Sequence, residues 1–243
     1  MATRADVEEF AQANRDIRAL LLVALVQWWR SLTFADPKAV AAEAVQTMPG
    51  LVGTYGELAA SLAADFYDRL REQSGAPGRY LAEMADPAPV EAVQANTRWA
   101  VGPLFTTAEQ PEPDPDGALA RLEQVADAAV QQQGRDTIDL STGRDPADAR
   151  WARVPTGRST CAFCLVLASR GPVYRSGDSA GAAKKFHAGD DCQAVPIWPG
   201  DPLPEGYDPD ALYQSYADAR RQARSGDLKP ILAAMRRQGG VTH

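Results

Sequence analysis

Residues 160–164 read Thr-Cys-Ala-Phe-Cys, and residues 187–192, His-Ala-Gly-Asp-Asp-Cys, follow after a spacer of 22 residues. All three cysteines and one of the two histidines lie here, in the pattern C-x2-C-x22-H-x4-C. Zinc prefers four thiolate or imidazole ligands in a tetrahedron, and cysteines this close can supply two of them from one turn. The pattern predicts a structural zinc site with four protein ligands: Cys161, Cys164, His187 and Cys192.

A second interpretation of the same residues needs no metal. Cys161 and Cys164 have the spacing of neighbours on one helix face, where they would pack as small apolar side chains, and His187 would lie on the surface. A Cys-His nucleophile pair is compatible with the spacing but has no evident orienting partner. The H-x-E element of zinc deaminases is absent, and no strand precedes the C-x2-C pair as in thioredoxins. We therefore assign no catalytic and no organic-cofactor residue.

The regions that flank the cysteines differ in character. Residues 134–199 are rich in glycine and contain short β-leaning runs at 173–174 and 194–198, which indicates a small α+β module. Before it, residues 118–130 have helical apolar spacing, and Gly134 is expected to end that helix. After it, residues 209–238 are again expected to be helical.

The first hundred residues are predicted to be helical. Apolar residues recur with helical spacing over 7–32, and Asp36-Pro37 should open a second helix that Pro49 and Gly50 stop. Further helices are expected from residue 51 to near Ser74-Gly75 and over 89–99. The fold class is therefore mainly α: a helical N-terminal region, a small α+β module and a helical C-terminal tail.

Residues 109–117, Glu-Gln-Pro-Glu-Pro-Asp-Pro-Asp-Gly, are the best candidate for a domain boundary. Three prolines at alternating positions oppose regular structure, and four acidic residues favour solvent. We therefore divide the chain into a helical region at 1–108, an acidic linker at 109–117, the α+β module at 118–200 and a basic helical tail at 201–243.

Composition excludes several classes of protein. The chain has 243 residues, 45% of them apolar, and a net charge of −7, which disfavours general disorder and a dedicated duplex-DNA binder. Residues 220–243 nevertheless hold six Arg or Lys and one Asp, as expected of either a solvated helix face or a phosphate-binding tail. The most apolar run, 19–26, is well short of the ~20 residues that span a bilayer. No signal-peptide pattern is present, so we expect a soluble protein made in a reducing cytoplasm, with no membrane partner.

The motifs of residues 134–199 resemble those of MuF-like minor capsid proteins of tailed phages, also called phage head morphogenesis proteins, in particular forms from phages and prophages of actinobacteria. The matching segments include the C-x2-C pair, the His187…Cys192 pair and four short runs at 134–138 (Gly-Arg-Asp-Thr-Ile), 151–155 (Trp-Ala-Arg-Val-Pro), 167–176 (Leu-Ala-Ser-Arg-Gly-Pro-Val-Tyr-Arg-Ser) and 195–196 (Val-Pro). The end of the pattern departs from the family, because Asp190 and Asp191 separate Cys192 from His187, and Ala194 stands where a further cysteine often occurs.

The resemblance implies a minor structural protein of the phage head, associated with the portal vertex and acting in head morphogenesis. It implies location in the virion after assembly in the bacterial host cytoplasm, with the portal protein as partner and the major capsid or scaffolding protein as further candidates. The basic tail adds packaged DNA as a candidate partner. The alternative function is a capsid maturation protease, for which the sequence offers no active-site motif, so an enzyme is the less favoured expectation.

Overall fold

The computed structural model describes residues 1–157, 160–175, 190–237 and, for the backbone, 241–242. Its elements divide into two compact units, each built from separate stretches of the chain. Unit 1 comprises Met1–Gln12, Ala63–Glu83 and Thr137–His243, and unit 2 comprises Ala13–Leu62 and Met84–Asp136. The division of the chain into four consecutive segments stays a prediction.

The described residues form seven α-helices, one 3-10 turn and four short strands. The helices are α1 (Arg4–Ser31), α2 (Pro37–Ser74), α3 (Val90–Ala100), α4 (Pro115–Arg144), α5 (Ala162–Ala168), α6 (Pro209–Ala223) and α7 (Leu228–Arg237), with the 3-10 turn at Gly102–Leu104. The strands are β1 (Arg150–Pro155), β2 (Thr160–Cys161), β3 (Cys192–Ile197) and β4 (Val241–Thr242). The mainly α class with a small sheet is confirmed. Nowhere in the described ranges is a helix both long enough and apolar enough to cross a membrane.

The predicted helix stop at Pro49 and Gly50 is wrong, because α2 continues through both residues. A proline inside a helix loses one backbone hydrogen bond and costs about 3 kcal/mol. Met48 and Val52 flank this site, and both are buried in one apolar cluster. Burial of this stripe offsets the local cost, so the helix persists where the local signal predicts an end.

The predicted end of α4 at Gly134 is also wrong, and the glycine has a different role. An ideal Cβ built on Gly134 would lie 3.0 Å from the carbonyl oxygen of Ala59 in α2. The missing side chain lets the two helices approach closely within unit 2, which larger residues would prevent. Gly134 is therefore a packing residue in the middle of a helix that runs from Pro115 to Arg144.

Unit 2 has an apolar core supplied by α1, α2, α3, the 3-10 turn and α4. Trp29 anchors it, with its ring edge-on to Phe34 at a centroid separation of 5.1 Å. The buried members of this core are Leu21, Leu25, Trp29, Val40, Ala44, Met48, Val52, Ala59, Val93, Ala100, Val101, Leu104, Ala118, Leu122, Ala126 and Val130. The helical stripes seen in the sequence therefore form core, as the spacing predicts.

Unit 1 contains the strands and the last three helices. Strands β1 and β3 pair antiparallel, with Arg150 opposite Ile197 and Pro155 opposite Cys192, while β2 and β4 form a short parallel pair. The β-leaning run at 194–198 is confirmed in substance, since β3 ends at Ile197. Helices α5, α6 and α7 meet around a second buried cluster of Ala162, Val166, Ala219, Ile231, Ala234 and Met235.

Asp145, the residue after α4, collects hydrogen bonds from distant parts of unit 1. Its carboxylate accepts from Arg71 Nε at 2.9 Å, from Tyr67 Oη at 3.0 Å and from Trp198 Nε1 at 3.1 Å. Burial alone would raise the pKa of Asp145, but the bonds from Arg71, the Ala147 amide, Trp198 and Tyr67 outweigh it and lower the pKa. This buried carboxylate therefore ties α2 and the end of β3 to the α4–β1 junction.

Candidate metal centre

The C-x2-C pair lies where β2 passes into α5. Cys161 is the N-cap of α5, and the backbone N–H of Cys164 donates to its Sγ atom at 3.2 Å. This contact turns the chain so that both thiols lie on the same side of the helix start. Cys164 is fully buried and Cys161 is half-buried. The local geometry suits two thiolates that bind one ion.

The β1–β3 sheet supplies the third cysteine and a cation. Arg153 is opposite Ala194 in the antiparallel register, so Cys192, two residues before Ala194, projects from the same face of the sheet. Arg153 Nη1 lies 3.6 Å from Cys192 Sγ and 3.8 Å from Cys164 Sγ. The Arg153 side chain has no exposed surface, so its charge is buried beside these thiols.

Asp190 completes the group from the segment that enters β3. Its carboxylate accepts from Cys161 Sγ at 3.7 Å and lies 3.9 Å from Arg153 Nη1. One ligand atom each from Cys161, Cys164 and Asp190 lies within 4.8 Å of the other two. The neighbouring Asp191 is bound through its carboxylate by Thr160 Oγ1 at 2.8 Å, which positions the Asp190 segment against β2.

The structure brings together three of the four residues predicted from the pattern. Cys161 and Cys164 hydrogen-bond to each other, and Cys192 contacts Cys164. The fourth, His187, lies outside the described residues. Sequence reasoning missed Arg153 and Asp190 as members of the site. The sequence offered one signal for Arg153, which lies between apolar residues of a strand. A guanidinium group buried in this way needs buried acceptors close by.

The thiols of the C-x2-C pair differ in acidity. The Cys164 thiol and its backbone N–H donate to Cys161 and lower the pKa of Cys161, although burial and the Asp190 carboxylate oppose this effect. The pKa of Cys164 is raised, because its thiol hydrogen-bonds to Cys161 and Cys192 and is buried. The first proton therefore leaves Cys161, which gives the pair one thiolate that can begin to bind a cation.

The donor chemistry fits zinc. Ligands about 2.3 Å from a tetrahedral zinc ion are about 3.8 Å apart, so the ligand atoms of Cys161, Cys164 and Asp190, which lie within 4.8 Å of one another, need shifts of about 1 Å to bind one ion. Three thiolates and one neutral imidazole around Zn²⁺ leave one negative charge, which the buried Arg153 guanidinium would balance. Four protein ligands leave no open position for an activated water, so the fit is to a structural ion.

Comparisons with known proteins identify the class. The chain is 32% identical over 145 residues to the Gene 15 protein of Mycobacterium phage D29, which covers 45% of this chain and 51% of that relative. It is 28% identical over 253 residues to the Gene 15 protein of Mycobacterium phage L5, with 79% of each chain covered. The chain thus spans about half the length of the D29 relative. No solved structure matches it significantly.

These relatives establish a bacteriophage protein as the class to which the chain belongs. A family model described as VG15 protein matches residues 1–219, which is most of the sequence. The chain belongs to the VG15 protein family.

Proposed function

We propose that the protein is a minor structural component of the tailed-phage head, associated with the portal vertex and acting in head morphogenesis. The observation that carries the proposal is that the buried Cys164 contacts both the half-buried Cys161 and the buried Cys192. These residues are the cysteines of the motif pattern that resembles MuF-like minor capsid proteins. Their contacts support the interpretation that the motif pattern marks a folded module and is not a chance spacing of cysteines. The phage relatives are consistent with a phage origin of this module.

The metal centre has a structural part in this proposal. Cys161, Cys164, Cys192 and His187 would hold zinc, and the ion would supply a cross-link between the start of α5 and the start of β3. The chain's own residues prepare this link, because the Cys164 amide orients Cys161 and the sheet register aims Cys192 at Cys164. The cross-link would then keep the start of α5 and the start of β3 rigidly together without a large core.

The proposed partner is the portal protein, with the major capsid or scaffolding protein as further contacts during assembly in the host cytoplasm. A rigid, preformed surface favours such docking, because little conformational entropy is lost when it binds. The expected location of the mature protein is the phage head.

Co-expression with the portal protein of the same phage genome tests the proposal. We expect a tagged wild-type chain to retain the portal protein through affinity and size-exclusion chromatography. The double variant Cys161→Ser/Cys164→Ser should lose most of this retention, while Gln27→Ala, an exposed change on α1, should keep it. Absence of the wild-type chain from purified virions by mass spectrometry would reject the head assignment.

The protease alternative has its own experiment. The purified chain is incubated with the major capsid protein of the same phage, and the products are followed by mass spectrometry. We expect the capsid protein to stay intact over hours. Cleavage at a defined site that Cys161→Ser or Cys164→Ser abolishes would replace the structural proposal with a hydrolase.

A further inference from the structure

The charge of the chain is strongly segregated. The last 24 residues contain six of the 25 basic side chains and one of the 32 acidic ones. The first 219 residues are therefore left with 19 basic and 31 acidic side chains. The last 24 residues are therefore the part of the sequence whose charge favours a ligand rich in negative charge.

An open groove of about 570 Å³ lies at this basic end, along α6 and the residues that follow it. We call it the basic groove, and its chemically distinctive lining residues are Tyr213, Tyr216, Arg220, Arg221 and Arg224. Tyr213, Tyr216 and Arg220 recur at three- and four-residue intervals and form one stripe along the helix, which Arg224 continues at the C-cap. The adjacent face of α6 is committed to packing, since Ala219 lies in the buried cluster shared with α5 and α7.

Two cations of the groove are available to a ligand. Arg221 is paired with Asp218, one turn earlier on α6. Arg220 and Arg224 are exposed, and neither has a carboxylate partner among the residues that the structure describes. They are four residues apart, with Arg220 in the last turn of α6 and Arg224 at its C-cap. Two guanidinium groups so placed can bind two anionic groups of one strand-like ligand.

Arg224 occupies a position that its backbone conformation does not favour. It is the C-cap of α6 and has a left-handed conformation with φ of +48°. Glycine or asparagine is the usual residue in this conformation, because a Cβ is sterically disfavoured there. An arginine at this point keeps a cation on the groove at the expense of local stability.

The tyrosines give the groove an amphipathic wall. The Tyr213 side chain is 53% exposed, and its ring centroid is 6.2 Å from that of Tyr216. Tyr216 packs partly against the buried cluster of α5, α6 and α7, which supports the wall from below. Tyrosine hydroxyls and arginine guanidinium groups are both common donors to the phosphates of DNA.

We propose that the basic groove binds the phosphodiester backbone of duplex DNA, with Arg220 and Arg224 on successive phosphates and Tyr213 donating beside them. DNA is the occupant that the charge pattern favours, because its phosphates are dense, regular and always ionised. The proposal depends on the phage class of the protein and does not require contact with the portal.

Fluorescence anisotropy with a labelled 30-base-pair duplex of random sequence tests this site. We expect Arg220→Ala/Arg224→Ala to weaken binding at least fivefold and to reduce the slope of log K against log salt by about 1.8, since each phosphate contact contributes about 0.9. Tyr213→Phe should weaken binding about twofold. The control Arg30→Ala/Arg79→Ala removes the same charge from exposed sites elsewhere and should keep the wild-type affinity within twofold.

Circular dichroism of each variant checks that the fold is retained. Equal loss of affinity in the two double variants would show that DNA binding depends only on the net charge of the chain, and it would overturn the proposal. Wild-type chain that binds poly-glutamate as tightly as the duplex, or that does not bind the duplex at low salt, would also overturn it. Portal retention in the co-expression experiment is independent of these results, so the two proposals can fail separately.

Discussion

Arg153 Nη1 lies 3.6 Å from Cys192 Sγ, and both side chains are fully buried. A guanidinium group stays protonated in proteins, so a permanent positive charge sits beside the thiols whatever their protonation state. Asp190, 3.9 Å from the same nitrogen, is the carboxylate partner of this charge. Strand β1 therefore supplies the positive charge of the candidate metal centre through Arg153, although the sequence pattern that revealed the centre consists of cysteines and a histidine.

Replacement of Arg153 by methionine should destabilise unit 1. The change leaves the Asp190 carboxylate buried without its cation, and loss of one partner of a buried pair costs about 3–5 kcal/mol. Urea unfolding followed by circular dichroism measures the difference. Arg150→Met on the same strand removes only an exposed ion pair with Asp148 and should change stability by about 0.5 kcal/mol or less. Similar losses for the two variants would contradict a special role for Arg153.

The chain purified under reducing conditions with zinc supplied should contain about one zinc ion per molecule. Cys161→Ser, Cys164→Ser and Cys192→Ser should each lower this content markedly, measured by mass spectrometry of the metal. His187→Ala and Asp190→Asn identify the fourth ligand, because only loss of the true ligand should weaken binding more than tenfold. His243→Ala is the matched control. A zinc content far below one ion per wild-type molecule, unchanged in Cys161→Ser, would contradict the zinc site and favour the interpretation without a metal.

Asp145→Asn should lower stability by about 3 kcal/mol, because Arg71 then lacks its buried anion. The change should also alter the pH dependence of unfolding. The pKa of Asp145 is lower in the folded chain, so its contribution is present above the unfolded value of about 3.9 and is lost as pH falls through the folded value.

Stability curves between pH 2 and 7 should therefore be flatter below about pH 4 for Asp145→Asn than for the wild type. The exposed control Asp86→Asn should reproduce the wild-type curve. Parallel curves for wild type and Asp145→Asn would show that Asp145 does not drive the acid transition.

Two glycine substitutions should have opposite effects on stability. Gly134→Ala places a Cβ 3.0 Å from the Ala59 carbonyl oxygen, and the resulting strain should cost about 1–3 kcal/mol. Gly50→Ala, inside α2 with no atom within 4 Å of the new Cβ, should stabilise the chain by about 0.5–1 kcal/mol. Thermal unfolding of the two variants gives the comparison. A loss of stability in both would mean that helix propensity does not determine the effect of the substitution at Gly50.

Local patterns were sufficient for the helices but not for their ends. Apolar spacing gave α1 and α3 within a few residues, because their buried faces follow the helical period. Pro49 and Gly134 misled the prediction, because tertiary packing around Met48 and against Ala59 decides the structure there. Nor could local patterns reveal that each compact unit is assembled from separate stretches of the chain.

The candidate metal site was likewise predictable from the sequence only in part. The cysteine spacing was enough to expect Cys161, Cys164 and Cys192 together, since a C-x2-C turn and a later ligand are a recurrent arrangement. Arg153 reaches them only through the register of β1 on β3, which no spacing along the chain reveals. Asp190 stands beside Asp191, and nothing in the sequence separates the carboxylate at the centre from the one bound by Thr160.

The bonds of Asp145 with Tyr67, Arg71 and Trp198 have a practical consequence for anyone who trims or recombines this gene. A fragment cloned from residue 118 onward would carry every cysteine yet lack the two side chains of α2 that neutralise and cap that acid. Exchange of the cysteine-bearing half between related phages would succeed only when its matching α2 segment travels with it.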